Sequence, residues 1–386
     1  MRRLLLLVLL SAPTLSCRGC SETASAHTVD ASTNEGARAL DLESFRTRAR
    51  VPAIGWAVVT RSVESSGAVG TADLEGAAAA SEMTAFEAAS IAKTVIATCV
   101  MQLVEDGRLD LDEDVSTYVG FPIRHPRSSA PITLRLLLTH TAAIADLPET
   151  SAPGTVALGD FLGRYFADAG SRGVFFDAGP GIAAAYSNVG PSIAALAVER
   201  VTGSRFAERA KASVFAPLRM QTTAFGRDFI DAGTRLAAPY ASKGDAFVRL
   251  PAPSHALYPV VDLFSSPHDL ARFARAIVRG GELDGARILS STSVDEMLHV
   301  QFPDAAPAEA LGWQVRTFGE KRVFGHEGED RGASTGLYLD RASGTGVVIL
   351  ANGDAFQGEG NETRTAALGE LVERLFEGAP SAPRGR

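Results

Sequence analysis

The chain has 386 residues, and its 37 basic and 45 acidic side chains give a formal net charge of −8. A protein that holds nucleic acid needs a basic face, so this charge balance argues against a nucleic-acid partner. Apolar residues make up 46% of the chain and charged residues 21%, which excludes a disordered protein and allows a large core. The three cysteines are too few for a disulfide scaffold.

The N-terminal residues 1–20 predict an export signal. Arg2 and Arg3 precede an apolar run over residues 4–10, which is the pattern of a secretory signal. The run is too short to span a bilayer as a helix of the mature protein. We therefore expect an exported protein, with a flexible spacer at 21–38 and a disordered tail at 378–386.

Two cysteines, Cys17 and Cys20, lie at the end of this signal. Their spacing would suit a redox or zinc pair, but the βαβ context and the second ligand pair that those sites need are missing. The segment resembles a bacterial lipoprotein signal, in which the cysteine after the cleavage site receives lipid. That resemblance implies a membrane tether through Cys17 or Cys20. The alternative is plain secretion to the periplasm or the medium.

The folded part, residues 39–377, begins with a predicted helix, a strand and its hairpin partner. A long apolar helix follows and ends at Gly107. The region from about 108 to 250 is predicted to consist of short helices joined by long Pro- and Gly-rich loops. One more helix is predicted after it. In chain order, the predicted elements are helix 40–50, strands 54–60 and 68–74, and helices 90–106, 132–139, 191–201 and 266–279.

The C-terminal part predicts four consecutive strands and a closing helix. Short glycine turns between the strands favour an antiparallel sheet, which the N-terminal hairpin is expected to complete. The fold class is therefore α/β (α+β), an antiparallel sheet flanked by helices with a mostly helical lobe inserted at about 108–250. The cleft between lobes is the expected site for a small ligand. The predicted elements are strands 312–318, 322–325, 334–340 and 346–351, and helix 362–376.

Ser90 and Lys93 lie three residues apart at the start of the long apolar helix. Residues at this spacing share a helix face, so the hydroxyl and the amine can meet. The positive helix end and the apolar surroundings disfavour an ammonium, and a neutral amine can activate a serine. The alternative is that Ser90 only caps the helix and Lys93 is a surface residue.

Tyr186 and Asn188 follow a Pro-Gly loop and precede a predicted helix. A tyrosine with its usual pKa near ~10 can act as a base only if a cation lowers that value, and Lys93 could supply the charge. The amide of Asn188 can hold the lysine or a substrate amide. The alternative is a core tyrosine beside a helix-capping asparagine.

His326 and Gly328 end a C-terminal strand. The histidine can bind an anion or carry a proton, and the glycine allows a backbone to approach a substrate closely. The alternative is a surface histidine at a turn. The zinc motif His-Glu-x-x-His is absent, so we expect no metal.

Ser334 occupies the G-x-S-x-G pattern of the α/β-hydrolase nucleophile elbow. That elbow requires a strand, a sharp turn and then a helix. Here the pattern continues directly into a predicted strand. We interpret Ser334 as a strand residue and retain an esterase that uses Ser334 as a minor alternative.

The sequence resembles the penicillin-recognising serine hydrolases in three motifs. In chain order these are S-x-x-K, Tyr-x-Asn, and a basic residue followed by x-Gly on a late strand. The chain is most similar to the class C β-lactamase-related branch, which includes D-Ala-D-Ala carboxypeptidases, D-aminopeptidases and esterases. The resemblance implies a β-lactamase/transpeptidase-like fold and no cofactor. The matching segments are 86–94, 103–109, 136–141, 186–188, 215–218, 263–266 and 325–328.

The resemblance also implies residue roles. Ser90 is the acylated nucleophile, while Lys93 and Tyr186 share the general-base work. Asn188 orients the lysine and the substrate amide. The backbone N–H groups of Ser90 and Glu329, the residue after Gly328, form the oxyanion hole.

His326 stands where the family's Lys-Thr-Gly has its lysine. We expect Glu327, Glu329 and Asp330 to raise its pKa somewhat and to repel anionic substrates. An esterase or D-amino-acid peptidase is therefore expected in preference to an efficient β-lactamase. The substrate would be a small molecule or peptide, and a non-catalytic penicillin-binding-like sensor is the remaining alternative.

Overall fold

The computed structural model describes residues 40–148, 154, 156–167, 173–252, 254–357 and 361–379. The predicted export signal, Cys17, Cys20, the spacer and most of the predicted tail lie outside these residues. The strands are β1 (Ala53–Val59), β2 (Glu64–Asp73), β3 (Ala78–Ala79), β4 (Phe86–Glu87), β5 (Ala224–Phe225), β6 (Tyr240–Lys243), β7 (Ala246–Arg249), β8 (Leu263–Ser265), β9 (Glu282–Leu283), β10 (Ala286–Arg287), β11 (Gln314–Phe318), β12 (Lys321–Asp330), β13 (Ala333–Asp340) and β14 (Thr345–Ala351).

Helices cover the sheet and build the region between its two halves. Within the described part of the chain, none of them is long and apolar enough to cross a membrane. The helices are α1 (Leu42–Ala49), α2 (Ala92–Glu105), α3 (Ser116–Val119), α4 (Leu134–Leu138), α5 (Leu158–Ala167), α6 (Val189–Thr202), α7 (Phe206–Ala210), α8 (Tyr258–Val261), α9 (Pro267–Val278), α10 (Ser291–Met297) and α11 (Asn361–Glu377).

The main sheet has seven strands in the order β11-β12-β13-β14-β1-β2-β3. Its neighbouring strands are antiparallel, and β1 pairs with β14 through partners such as Ile54 and Ala351. The first hairpin therefore completes the C-terminal sheet, as predicted. This pairing brings the two ends of the folded part together.

Strand β1 is buried along its whole length because both faces of the sheet are covered. Side chains alternate between faces along a strand. Ala57 and Val59 belong to the core that contains helices α2 and α9, whereas Trp56 and Val58 belong to the core that contains α1 and α11. The sheet thus separates two apolar cores, and α2 lies on one defined side of it.

A short three-stranded sheet, in the order β4-β8-β5, lies close to the start of α2. A single 3₁₀ turn, Ala89–Ile91, connects β4 to α2. The predicted helix 90–106 therefore begins as a 3₁₀ turn, in which Ala89 has a φ of 47°. That left-handed conformation is unfavourable for alanine. The turn is buried and packs against β12, whose position bears on the site described next.

Candidate active site

Ser90 lies in the 3₁₀ turn, and Lys93 lies in the first turn of α2. The three-residue spacing brings the two side chains together: Lys93 Nζ is 2.8 Å from Ser90 Oγ. Ser90 keeps 8% of its surface exposed, whereas Lys93 is fully buried. The hydroxyl is therefore accessible from one side while the amine is shielded from water.

The Lys93 amine has two further neighbours. It donates to Asn188 Oδ1 at 2.8 Å and to the carbonyl of Val260 at 3.2 Å. Burial lowers the pKa of Lys93 to about 7, while the charge of Asp146 acts in the opposite direction. A neutral amine uses its two protons for these acceptors, so its lone pair is left facing the Ser90 hydroxyl. Lys93 is thereby suited to accept a proton from Ser90 near neutral pH.

Tyr186 approaches Ser90 from the other side, with its hydroxyl 3.0 Å from Ser90 Oγ. Its ring stacks on His140 with the centroids 4.4 Å apart. Desolvation of the hydroxyl raises the pKa of Tyr186, even though 47% of the residue is exposed. The expectation that Lys93 lowers the pKa of Tyr186 is therefore wrong, because burial of the Tyr186 hydroxyl is the largest effect on that pKa. Tyr186 is a phenol that can donate a proton.

Asp146 positions Asn188. One carboxylate accepts hydrogen bonds from Ser187 Oγ at 2.7 Å, from Asn188 N at 2.7 Å and from Val189 N at 3.1 Å. These groups form the N-terminus of α6, where free N–H groups favour a negative charge. The sequence reasoning missed Asp146, because its partners lie more than forty positions away and no local motif connects them.

His140 is a second residue that the sequence reasoning missed. It is buried, has a φ of 55°, and its Nδ1 accepts a hydrogen bond from Ser187 N at 3.2 Å. Burial lowers the pKa of His140 to about 3, so the ring is neutral and supports Tyr186 by stacking. Segment 136–141 is one of the segments that carry the resemblance, but the contact between the His140 and Tyr186 rings depends on tertiary structure.

Strand β12 borders the nucleophile turn on the sheet side. A Cβ added to Gly328 would lie 2.3 Å from the carbonyl oxygen of Ala88 and 3.2 Å from the backbone nitrogen of Ser90. Thr335 Oγ1 also donates to Ala88 O at 2.9 Å. The two predicted oxyanion donors, the N–H groups of Ser90 and Glu329, thus belong to segments in direct backbone contact.

His326 lies on the same strand, with 2% of its surface exposed and its ring 6.2 Å from that of Tyr186. Its Nδ1–H donates to the carbonyl of Glu327 at 2.6 Å, and within the described residues its Nε2 has no hydrogen-bond partner. Burial and the nearby Lys93 lower the pKa of His326 well below its usual value.

The expectation that acidic neighbours raise the pKa of His326 is therefore wrong. Side chains alternate along β12, so Glu327 points to the face opposite His326. The Glu327 carboxylate instead contacts Tyr338 OH at 3.3 Å. Asp330 shares the face of His326 but forms an ion pair with His255 at 3.5 Å.

Ser334 is fully buried in β13, which continues through a turn into strand β14. Its hydroxyl donates to Gly353 O at 2.9 Å and accepts from Phe356 N at 3.1 Å. The strand-to-helix turn of a nucleophile elbow is not formed at this position. Ser334 is a hydrogen-bonded core residue.

The arrangement around Ser90 can perform acyl transfer. A hydroxyl lies between a buried amine and a phenol, and backbone N–H groups of an adjoining strand and turn can face a developing oxyanion. Across the part of the chain that the structure describes, no group of three or more His, Cys, Asp or Glu side chains could hold a metal ion.

Comparison with known proteins agrees with this geometry. A family model described as "Beta-lactamase" matches residues 40–371. Penicillin-binding protein 4 of Amycolatopsis lactamdurans is 26% identical over 350 residues, which cover 86% of this chain and 88% of that protein.

Solved structures share the fold. D-amino acid amidase from Ochrobactrum anthropi SV3, complexed with L-phenylalanine, superposes with a TM-score of 0.71 at 23% identity, over 90% of this chain and 98% of the amidase. The octameric penicillin-binding protein homologue from Pyrococcus abyssi gives a TM-score of 0.71 at 20% identity, over 90% of this chain and 79% of the homologue.

Proposed function

The chain belongs to the beta-lactamase family of serine hydrolases, and on that basis we propose that it is an exported enzyme that forms an acyl-enzyme on Ser90. It hydrolyses small amide or ester substrates. The observation that carries the proposal is the position of Ser90 Oγ, 2.8 Å from the Lys93 amine and 3.0 Å from the Tyr186 hydroxyl. A non-catalytic sensor would have no need of this complete set.

Acylation begins when Lys93 accepts the Ser90 proton and Oγ attacks the substrate carbonyl carbon. The N–H groups of Ser90 and Glu329 stabilise the oxyanion of the tetrahedral intermediate. As the intermediate collapses, the bond to the leaving nitrogen or oxygen breaks. Tyr186 donates its proton to that atom and recovers one from the Lys93 ammonium.

Deacylation reverses these roles for water. Lys93, neutral again, accepts a proton from a water that attacks the ester carbonyl. The second tetrahedral intermediate collapses, the carboxylic acid leaves, and Ser90 Oγ recovers its proton. Asn188 keeps the amine in place throughout, and Asp146 fixes Asn188.

The charges around the site favour acyl groups without a free carboxylate. Buried His326 is neutral and offers no cation. The charges of Glu309 and Glu329 both act on the Tyr186 hydroxyl. The nearby Arg316 guanidinium lies 3.5 Å from the Glu327 carboxylate, which offsets the positive charge of Arg316. Amides or esters of amino acids suit such a site, and one structural relative is described as a D-amino acid amidase.

The nucleophile is tested with a fluorophosphonate, which labels activated serines. We expect one label per chain, mapped by peptide mass spectrometry to Ser90. Ser90→Ala should abolish labelling and turnover, because removal of an acting nucleophile costs many orders of magnitude in rate. Ser334→Ala is the matched control and should still be labelled. Adducts on Ser334, or turnover by Ser90→Ala, would contradict the proposal.

Substrate class is tested with His326→Lys. We expect the parent to hydrolyse nitrophenyl acetate and D-amino-acid amides well and nitrocefin, which carries a carboxylate, poorly. The lysine variant should improve kcat/KM for nitrocefin by about tenfold, the scale of one ion pair of roughly 1.4 kcal/mol, and should leave the ester within about twofold. Efficient nitrocefin hydrolysis by the parent would exclude this basis for selectivity.

A further inference from the structure

A pair of buried carboxyl groups lies behind the nucleophile turn and has no part in the mechanism above. Glu87 is 7% exposed, and its Oε1 has no hydrogen-bond partner within the described residues. Asp330 Oδ2 is likewise buried without a hydrogen-bond partner there. The Glu87 carboxyl is hydrogen-bonded to Asp330, and His255 contacts both Asp330 and Asp262, whose charge also acts on Glu87.

Two neighbouring carboxylates cannot both stay ionised away from water, so Glu87 and Asp330 share one proton. Burial is the main cause that raises the pKa of Glu87, and the charge of Asp330 adds to it. Glu87 therefore carries the proton and donates it to Asp330. His255 supports Asp330 as the acceptor, since its Nε2 lies 3.5 Å from Asp330 Oδ2 while its Nδ1 bonds Asp262 at 2.6 Å.

Glu87 and Asp330 lie next to the two segments that supply the oxyanion donors. Glu87 ends β4 and precedes Ser90 by three positions, so it lies at the entrance to the nucleophile turn. Asp330 ends β12 and directly follows Glu329. The hydrogen bond between the two carboxyl groups therefore links the nucleophile turn to the end of β12. The N–H groups of these two segments must both point at the same oxyanion. Gly328, between them, allows the close approach.

We propose that the Glu87–Asp330 carboxyl pair is a positioning device that holds strand β12 against the nucleophile turn and thereby sets the width of the oxyanion hole. Neither residue contacts the reacting atoms. The inference rests on the proposed function, because the width of the hole matters only if Ser90 is acylated.

The pair makes the site sensitive to a rise in pH. The charged groups that face Glu87 are Asp330, Asp262 and Arg227, and His255 faces Asp330. Above the raised pKa of Glu87 the shared proton is lost, and the two carboxylates repel each other. Acylation should then fall as pH rises through that value, which is opposite in direction to the limb caused by Lys93.

The experiment compares Glu87→Gln with Glu87→Ala in the full chain. A glutamine amide donates a hydrogen bond to Asp330 at every pH, whereas alanine cannot. We expect Glu87→Ala to acylate with fluorophosphonate at pH 7 about tenfold to hundredfold more slowly than the parent, less than the loss of a complete oxyanion donor. Glu87→Gln should stay within about twofold of the parent and lack its decline with rising pH.

Two further variants separate positioning from stability. Asp330→Ala should match Glu87→Ala, and the double alanine variant should be no slower than the slower single variant, because both remove the same interaction. Asp340→Asn alters a buried carboxyl at the opposite end of β13, bonded to Ser343 at 2.7 Å. It should leave the acylation rate of the folded protein unchanged even if it lowers Tm.

The outcomes distinguish the two proposals. An unlabelled parent would refute the proposed function. A labelled parent with an unaffected Glu87→Ala variant, or a Glu87→Gln variant as slow as Glu87→Ala, would overturn the positioning role alone. A decline with rising pH that is the same in Glu87→Gln as in the parent would also overturn it.

Discussion

Lys93 is a fully buried lysine with a task that requires it to be uncharged. Burial disfavours its ammonium and lowers the pKa of Lys93 to about 7. The protonated form cannot accept the Ser90 proton, so activity should rise as pH increases through about 7. We expect this limb in the acylation rate with a neutral nitrophenyl ester, whose own charge does not change. A rate that is flat between pH 5 and 8 would contradict the base assignment.

A substitution at Asp146 tests whether the charge of this residue shifts the pH dependence in the expected direction. Its negative charge raises the pKa of Lys93, opposing the effect of burial. Asp146→Asn keeps a hydrogen-bond acceptor for the start of α6 but removes the charge, so the limb should move to lower pH. Thermal unfolding of the variant would show whether the N-terminus of α6 is also weakened.

At the scale of one element, β12 and the nucleophile turn fit together only because residue 328 is glycine. A Cβ there would lie 2.2 Å from Thr335 Oγ1 and 2.3 Å from Ala88 O. Gly328→Ala should displace the strand and cut the acylation rate of folded protein by about a hundredfold, comparable to the loss of one oxyanion donor.

The matched control for this substitution lies on the same strand. A Cβ added to Gly325 would also lie 2.5 Å from a backbone oxygen, that of Leu337, but away from Ser90. Gly325→Ala should therefore lower Tm without a comparable loss in the rate of the folded fraction. Equal catalytic losses in the two variants, measured by active-site titration, would show that sheet strain in general, and not the contact with Ser90, limits the rate.

Long elements with a clear pattern could be predicted from the sequence. The four C-terminal strands alternate or run apolar between glycine turns, and their pairing with the first hairpin follows from the sheet's need to bury both faces. The strands β4, β5 and β8 could not be predicted. They have only two or three residues each, and they pair with partners far along the chain, so no local period marks them.

The residues of the candidate site also divide into those that the sequence could bring together and those that it could not. Ser90 and Lys93 could be paired from helical spacing alone, because one turn of helix brings them together. Asp146 and Glu87 could not be found, since each acts on a partner brought close only by the tertiary fold. The protonation states also depend on tertiary structure: burial, not charged sequence neighbours, determines the pKa of His326.

For the whole molecule, the sheet places the first helix away from the chemistry. Helix α1 packs in the core shared with α11, whereas α2, which follows Ser90, packs in the core on the other sheet face. The chain therefore enters the folded part on the face opposite the nucleophile.

We propose that a lipid on Cys17 or Cys20 tethers the chain to a membrane. The predicted spacer of residues 21–38 would give a root-mean-square reach of about 20–25 Å if it is a flexible coil. Acyl chains on a cysteine would hold an otherwise water-exposed domain at a membrane surface.

Expression of the full chain in a bacterium fed labelled palmitate tests the tether. We expect the label in the membrane fraction, and its loss in either Cys17→Ser or Cys20→Ser, but not in both. The variant that loses the label should become soluble while its kcat/KM for a water-soluble ester stays within about twofold, since no residue near Ser90 changes. Label retained in both single variants, or a mature N-terminus beyond Cys20, would refute the tether and favour plain secretion.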